Sequence, residues 1–225
     1  MNNIEWNFDG KVVLVVGDTR GIGKGVFDKF KDAGADVFGI NSSNCDISKK
    51  EEIDLYFEDL QSVDILVNVS GINYAKKIQD ISFEEWTEVL NVNLRGYFYV
   101  TKKVLEIMPD GGKIVNVSSI AGRHRSFTSG SHYTASKAGI IGLTKQIAYE
   151  VGNRNINVNA VCPSQTLTDM FRATLTTKEA RKLESTIPLG RIAIVEEQVN
   201  PIMFLCSDEA SYITGTTLDV NGGQL

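Results

Sequence analysis

The chain has 225 residues, 42% of them hydrophobic, so about 95 side chains can go inside; that suits one α/β domain and excludes a disordered tail or a disulfide-stapled miniature. Lys and Arg number 23 against 28 Asp and Glu, a net charge of −5 with no basic block, which makes nucleic acid and anionic membrane poor partners. Cys45, Cys162 and Cys206 lie far apart without a CxxC pair, and MNNIEWNFDG has neither a basic nor an apolar segment, so no metal site, disulfide framework or leader is expected, and a cytoplasmic setting is.

The first apolar run, 12–16, predicts a strand covered on both faces. It leads straight into Gly17-Asp18-Thr19-Arg20-Gly21-Ile22-Gly23, which opens onto a helical pattern over 22–33. Glycines between a strand and a helix let the main chain turn tightly and approach a pyrophosphate, whose charge the helix's free amides stabilise. Taken alone, the same glycines also suit a plain turn that needs positive φ. Asp18 is an unusual acid in such a loop and is expected to point away from a phosphate, since it would otherwise weaken binding.

The second strand, 37–40, ends at Asn41, and only Asn41 to Cys45 separate it from Asp46-Ile47 and a helix predicted over 49–60. A parallel crossover needs at least about a dozen residues, so no further strand and helix fit in that connection. Next come a strand at 65–67 followed by Asn68-Val-Ser70-Gly71, and a long helical pattern over 83–108 that contains Asn93. A strand at 114–117 runs into Ser118-Ser119, and a helix over 133–151 opens on Tyr133 and Lys137. A strand at 156–161 precedes Pro163, and a helix at 197–205 and a strand at 217–220 complete the pattern. Alternating strands and helices predict an α/β fold with one doubly wound, Rossmann-like parallel sheet, here of six strands, in a single domain spanning 1–225.

Tyr133 and Lys137 are four apart on a helix, hence on one face, about 6 Å apart at Cβ. A neighbouring ammonium favours phenolate and brings a tyrosine toward the working range of a general acid or base. In isolation the pair also fits an exposed helix surface. Ser118 and Ser119 alternate faces if the strand continues, so one of them points inward.

Taken together, the glycine loop, Asn68-Val-Ser70-Gly71, Leu90-Asn-Val-Asn93-Leu, Ile114-Val-Asn-Val-Ser-Ser119, Tyr133-Thr-Ala-Ser-Lys137, Asn159-Ala-Val-Cys-Pro163, Thr214-Gly215 and Asn221-Gly-Gly223 resemble the short-chain dehydrogenase/reductase family over roughly residues 8–223. The chain is most similar to its 3-oxoacyl-[acyl-carrier-protein] reductase members. The resemblance implies hydride transfer with a nicotinamide cofactor. Ser119, in frame with Gly122, would hold the substrate oxygen, Tyr133 would pass the proton, Lys137 would also grip the nicotinamide ribose, and Asn93 would hold a relay water. It likewise implies cofactor contacts at Gly17, Thr19, Arg20, Gly21, Ile22, Gly23, Asn41, Ser42, Asp46, Ile47, Asn68, Ser70, Gly71, Tyr133, Lys137, Pro163, Thr166 and Thr168.

Several departures sharpen these expectations. Asn41 stands where NAD-preferring members usually carry an acid, Arg20 where NADP-preferring ones often carry a base, and Ser42 and Ser43 are potential donors to a 2′-phosphate, so NADP(H) is favoured over NAD(H). The short connection after residue 40 removes the family's usual third strand and the helix before it, leaving 37–40 as the sheet edge and the adenine end with one wall fewer. Ser119 and Tyr133 are separated by one residue more than is usual, which places an insertion in 123–132. Ser164 replaces a usual glycine at the hinge of a lid over 165–190, and His132 is a candidate for the substrate pocket.

The expected substrate is a small carbonyl or alcohol compound, possibly carrier-bound. Arg154 matches one carrier-docking position of the reductases, whereas Asp110 occupies the other. The alternatives are a reductase of sugar-derived or secondary-metabolite ketones and a non-catalytic NADP-sensing relative; the retained Asn93, Ser119, Tyr133 and Lys137 speak against the sensor. A homo-oligomer, tetramer or dimer, is expected through the outer faces of 83–108 and 133–151, assigned to Tyr97, Phe98, Ile140, Ile141 and Ile147.

Overall fold

The computed structural model describes residues 5–126, 128–168 and 176–224. Its six strands are β1 (Val12–Val16), β2 (Asp36–Ile40), β3 (Ile65–Asn68), β4 (Lys113–Val117), β5 (Asn157–Pro163) and β6 (Thr217–Val220). They form one sheet in the order β2-β1-β3-β4-β5-β6, every pairing parallel. Alternation along β1 decides the layers. Leu14 and Val16 face α2 (Lys50–Tyr56), α4 (Gly96–Ile107) and α6 (Ser131–Val151), sharing a core with Ile53, Val100, Val104 and Ile147. Val13 and Val15 face the other way, onto Val26 and Phe30 of α1 (Gly21–Asp32) and Ile202 and Met203 of α8 (Val195–Cys206). Covering on both faces is why these strands read as unbroken apolar runs.

β2 is an edge strand, as the five-residue connection requires. Its exposure alternates along the strand, ending in a fully buried Ile40. Beyond it the chain folds back in tight turns. The Asn44 side chain accepts from Asn41 N–H (2.9 Å) and donates to the Gly39 carbonyl (2.9 Å), while Cys45 and Ile47 plug the core. α2 stops at Tyr56 instead of residue 60. Phe57 turns into the core, and Glu58 and Asp59 are acids that a helix C-terminus disfavours.

The predicted helix 83–108 is three pieces. α3 (Phe83–Leu90) starts at a capping box between Ser82 and Glu85, a π-helical segment runs over Asn91–Arg95, and α4 follows. One extra residue in a turn rotates everything after it by about 100° relative to a wheel drawn from α3. The expected outer face fails for that reason and because α6 is packed on more than one side. Tyr97 and Ile140 are fully buried, Ile141 and Ile147 nearly so, and of the five only Phe98 is well exposed, at 48%. α5 (Ile120–Arg123) and α7 (Thr177–Glu184) are short, and of the expected lid 165–190, residues 169–175 lie outside the described residues.

Candidate active site

The carboxyl ends of β1, β3, β4 and β5 bring the glycine loop, Ser70, Ser119 and Pro163 to one crevice. It lies where the chain reverses direction across the sheet between β1 and β3, the usual ligand position in an open α/β fold. Gly17 has φ 99°, and a Cβ there would meet Ser70 Cα at 2.8 Å; a Cβ at Gly23 would lie 1.9 Å from the Gly17 carbonyl. Only glycine allows the loop to close so tightly. Arg20 is the N-cap of α1 without a side-chain capping bond, and the first turn holds no acid, so its amides are free to face a phosphate. Thr168 leans on the same turn: a Cβ at Gly21 would stand 3.0 Å from its methyl.

Ser119 and Lys137 are buried, and Tyr133 stands half-buried beside them in one cluster. Ser119, the N-cap of α5, accepts from Ala121 N–H (3.1 Å) and lies near enough to Tyr133 to pull its pKa down, whereas Ser118 turns away to donate to the Lys137 carbonyl (2.7 Å). Lys137 Nζ donates to the Val117 carbonyl (2.8 Å) and sits 5.7 Å from the Tyr133 ring centroid and 5.3 Å from that of Tyr97. Burial lowers the Lys137 pKa to about 7. Desolvation also raises Tyr133 above its ordinary range, against the nearby Ser119 side chain, which pulls it down. The expected lowering of Tyr133 by an ammonium is therefore reversed. Lys137 is itself too desolvated to stay fully charged near neutral pH, and the tyrosine remains a phenol with its proton to give.

Asn93 sits in the π-helical segment, fully buried, and clamps the loop after β3. Its Oδ1 accepts from Ile72 N–H (2.8 Å), and its Nδ2 donates to the Ile72 carbonyl (2.9 Å) and Ser136 Oγ (3.1 Å). Its side chain is thus committed to holding the Ile72 loop against α6. Asn68 also turns inward, donating to Asn116 Oδ1 (2.8 Å) and Thr101 Oγ1 (3.2 Å), and Asn116 continues to Thr144 (3.0 Å). This buried polar chain ties β3 and β4 to the helices. Gly71 lies beside the cluster: a Cβ there would be 3.4 Å from both Asn93 Oδ1 and Lys137 Nζ.

The other expected contacts divide in two. Asp46 spends a carboxylate oxygen on Ser48 N–H (3.0 Å), and Ile47 packs beneath Gly96. Thr19, Arg20 and Ser42 are exposed, Ile22 is half-buried, and Thr166 bridges to Ala193 just beyond Pro163. Ser43 donates its hydroxyl to Asn41 (2.5 Å). Asp18 does point away from the α1 amides; its Oδ1 accepts from Asn41 Nδ2 (3.0 Å).

Tyr97, expected on an outer face, instead adjoins the cluster, and His132, a candidate for the substrate pocket, packs next to Tyr133. The fully buried Tyr97 donates to the Ser70 carbonyl (2.6 Å) beneath Lys137, which its spacing of four from Asn93 signals. His132 is also fully buried. Its Nδ1 accepts from Tyr133 N–H (2.8 Å), its ring lies 6.0 Å from that of Tyr74, and Nε2 has no hydrogen-bond partner.

The family model described as enoyl-(acyl carrier protein) reductase matches residues 38–224. With this fold and cluster, that match defines an oxidoreductase, and the chain belongs to the short-chain dehydrogenase/reductase family. Among individual proteins, it is 39% identical to the 3-oxoacyl-[acyl-carrier-protein] reductase of Aquifex aeolicus, covering 98% of this chain and 99% of the relative. The Escherichia coli reductase of the same name is 34% identical, with 96% and 98% covered. Two solved structures superpose closely. The Thermoplasma acidophilum aldohexose dehydrogenase does so with TM-score 0.88 at 32% identity, over 96% of this chain and 94% of that one. The Brucella melitensis 3-oxoacyl-[acyl-carrier protein] reductase does so with TM-score 0.90 at 27% identity, over 100% and 98%.

Proposed function

We propose that the chain, one nucleotide-binding domain over 1–225, reduces a 3-oxoacyl-like ketone to a secondary alcohol with NADPH. The observation that carries this reading is the convergence of Ser119, Tyr133 and the buried Lys137 beside the Gly71 turn, with desolvation keeping Tyr133 a phenol. The cradle fits a dinucleotide. The uncapped α1 amides and the Gly17–Gly23 turn suit a pyrophosphate, and the buried Ser70 hydroxyl beneath the loop has no hydrogen-bond partner. The bound cofactor supplies the hydride to the carbonyl carbon. Ser119 holds the carbonyl oxygen, Tyr133 gives that oxygen its phenolic proton, and Lys137, four residues along the same helix face, assists reprotonation and orients a ribose. Pro163, Thr166 and Thr168 flank the nicotinamide end, while Arg20, Asn41, Ser42 and the main chain of Asp46 and Ile47 flank the adenosine end.

For the substrate, the names of the Aquifex and Escherichia relatives support a 3-oxoacyl thioester. A second reading, a free ketone or sugar-derived carbonyl, is favoured by Arg154. That guanidinium is used up on Asp110 (3.0 Å) and the carbonyls of Leu105 (3.1 Å) and Met108, closing the end of α4 instead of facing a carrier. The aldohexose dehydrogenase neighbour points the same way. The test is NADPH consumption with acetoacetyl thioesters, diketones and sugar carbonyls side by side. The thioester is expected to turn over fastest; turnover of sugars alone would select the second reading, and no turnover of any carbonyl would refute the reductase.

The same reading includes a homo-oligomer in the cytoplasm. The three buried free cysteines suit a reducing compartment, and among the described residues no helix is long and apolar enough to cross a membrane. A groove of about 500 Å³ between α3, the π-helical segment, α4 and α6 is lined by Leu90, Leu94, Phe98, Gly142 and Leu143 together with Asn91, Arg95 and Gln146, a mainly apolar strip with polar members that a second copy would cover. A Cβ at Gly142 meets nothing within 4 Å, so Gly142→Tyr leaves the fold's own packing intact while obstructing that face. Light scattering is expected to show a dimer or tetramer for the native chain and a smaller species for the variant. A native monomer at micromolar concentration would defeat the assignment.

A further inference from the structure

The acid that Asn41 lacks is supplied from elsewhere in the fold. Asp18 is the second residue of the glycine loop, yet its carboxylate lies across the carboxyl end of β2. Oδ1 accepts from Asn41 Nδ2 at 3.0 Å, and Oδ2 rests on Gly39, where a Cβ would stand 2.1 Å from it. Any side chain at Gly39 would evict the carboxylate. Asn41 cannot turn its amide round, because its Oδ1 already accepts from Ser43 N–H (3.0 Å) and Ser43 Oγ (2.5 Å). The amide therefore keeps Nδ2 on the carboxylate. Tyr56 donates to the Gly39 carbonyl (3.1 Å), and its pKa is raised by burial and by the charges of Cys45 and Asp18, so the field of Asp18 reaches across the strand end.

In dinucleotide-binding folds, the residues at this end of the second strand meet the adenosine ribose. A carboxylate there accepts from the 2′-hydroxyl, and a cation accommodates a 2′-phosphate. Here both are present on one loop, two residues apart: Asp18, half-buried and oriented, and Arg20, exposed. We infer that Asp18 is a cofactor-specificity residue, whose carboxylate takes the ribose hydroxyls of NAD(H) and opposes the 2′-phosphate of NADP(H), so that the chain uses NADH alongside NADPH. The inference rests on the dinucleotide site proposed above. It concerns a residue pair that only the folded loop brings together, since Asp18 and Asn41 are 23 positions apart.

The test is equilibrium titration of NADH and NADPH by nicotinamide fluorescence, on the native chain and on Asp18→Asn and Asp18→Ala. Asp18→Asn keeps the shape and removes the charge; Asp18→Ala also removes the partner of Asn41 and stands in if the first variant misfolds. The ratio of dissociation constants is expected to move toward NADPH by about tenfold in each, the size of effect that ~1.4 kcal/mol of relieved repulsion produces. An unchanged ratio with both cofactors bound, or a shift toward NADH, overturns the inference. Binding of neither cofactor to the native chain overturns the dinucleotide site itself.

Discussion

Replacing Tyr133 by Phe is expected to lower kcat for carbonyl reduction by about 10²- to 10⁴-fold, the range for losing a positioned general acid, while leaving the NADPH dissociation constant within about twofold. The ring remains, so packing above Lys137 is kept; what goes is the phenolic hydroxyl and its proton. Burial holds Tyr133 as a phenol, the form a proton donor needs. The loss should therefore appear in kcat at saturating substrate and not in cofactor affinity, which stopped-flow turnover and fluorescence titration separate. Turnover like that of the native chain would remove Tyr133 from the mechanism, and a parallel collapse of cofactor affinity would make its role structural.

Lys137→Met is expected to abolish most of the activity and, against intuition, to stabilise the cofactor-free chain at mildly acidic pH. Lys137 ordinarily titrates near 10.5, but its burial brings that down to about 7. Between about pH 7 and 10.5 the unfolded chain carries a proton on this lysine that the folded chain has shed, so stability rises with pH across that window. Below about pH 7 both states are protonated, and the folded state bears the full cost of a buried charge. Methionine removes this dependence and loses the donor to the Val117 carbonyl, leaving a net gain of about 2–4 kcal/mol at pH 6, at ~1.4 kcal/mol per unit of pKa shift. Thermal melts at intervals from pH 6 to 9 should show the native midpoint rising more steeply than that of the variant. Parallel curves would mean that Lys137 is not the group that titrates, and a variant less stable at pH 6 would mean that its hydrogen bond outweighs its charge.

The architecture was legible in local sequence because it depends on local physics. Apolar β-branched runs between helical patterns specify a parallel sheet buried on both faces, and five residues after Ile40 are too few for another crossover, so the strand count and the identity of the edge follow from chain length alone. The motifs at strand ends were legible for the same reason, since a strand, a tight turn and a helix N-terminus are contiguous in the chain. The environment of those motifs depends on which distant segments meet. The π-helical turn at Asn91–Arg95 carries no propensity signal, yet it rotates Tyr97 from an apparent outer face to a place beneath Lys137. The Tyr133 pKa was misjudged because helical spacing reports a neighbouring ammonium but not the burial that weakens it. Asp18 could be read from the sequence as turned away from a phosphate, but not as turned toward Asn41. Its destination was decided by Gly39, the penultimate residue of the adjacent strand, where the missing side chain leaves room for a carboxylate.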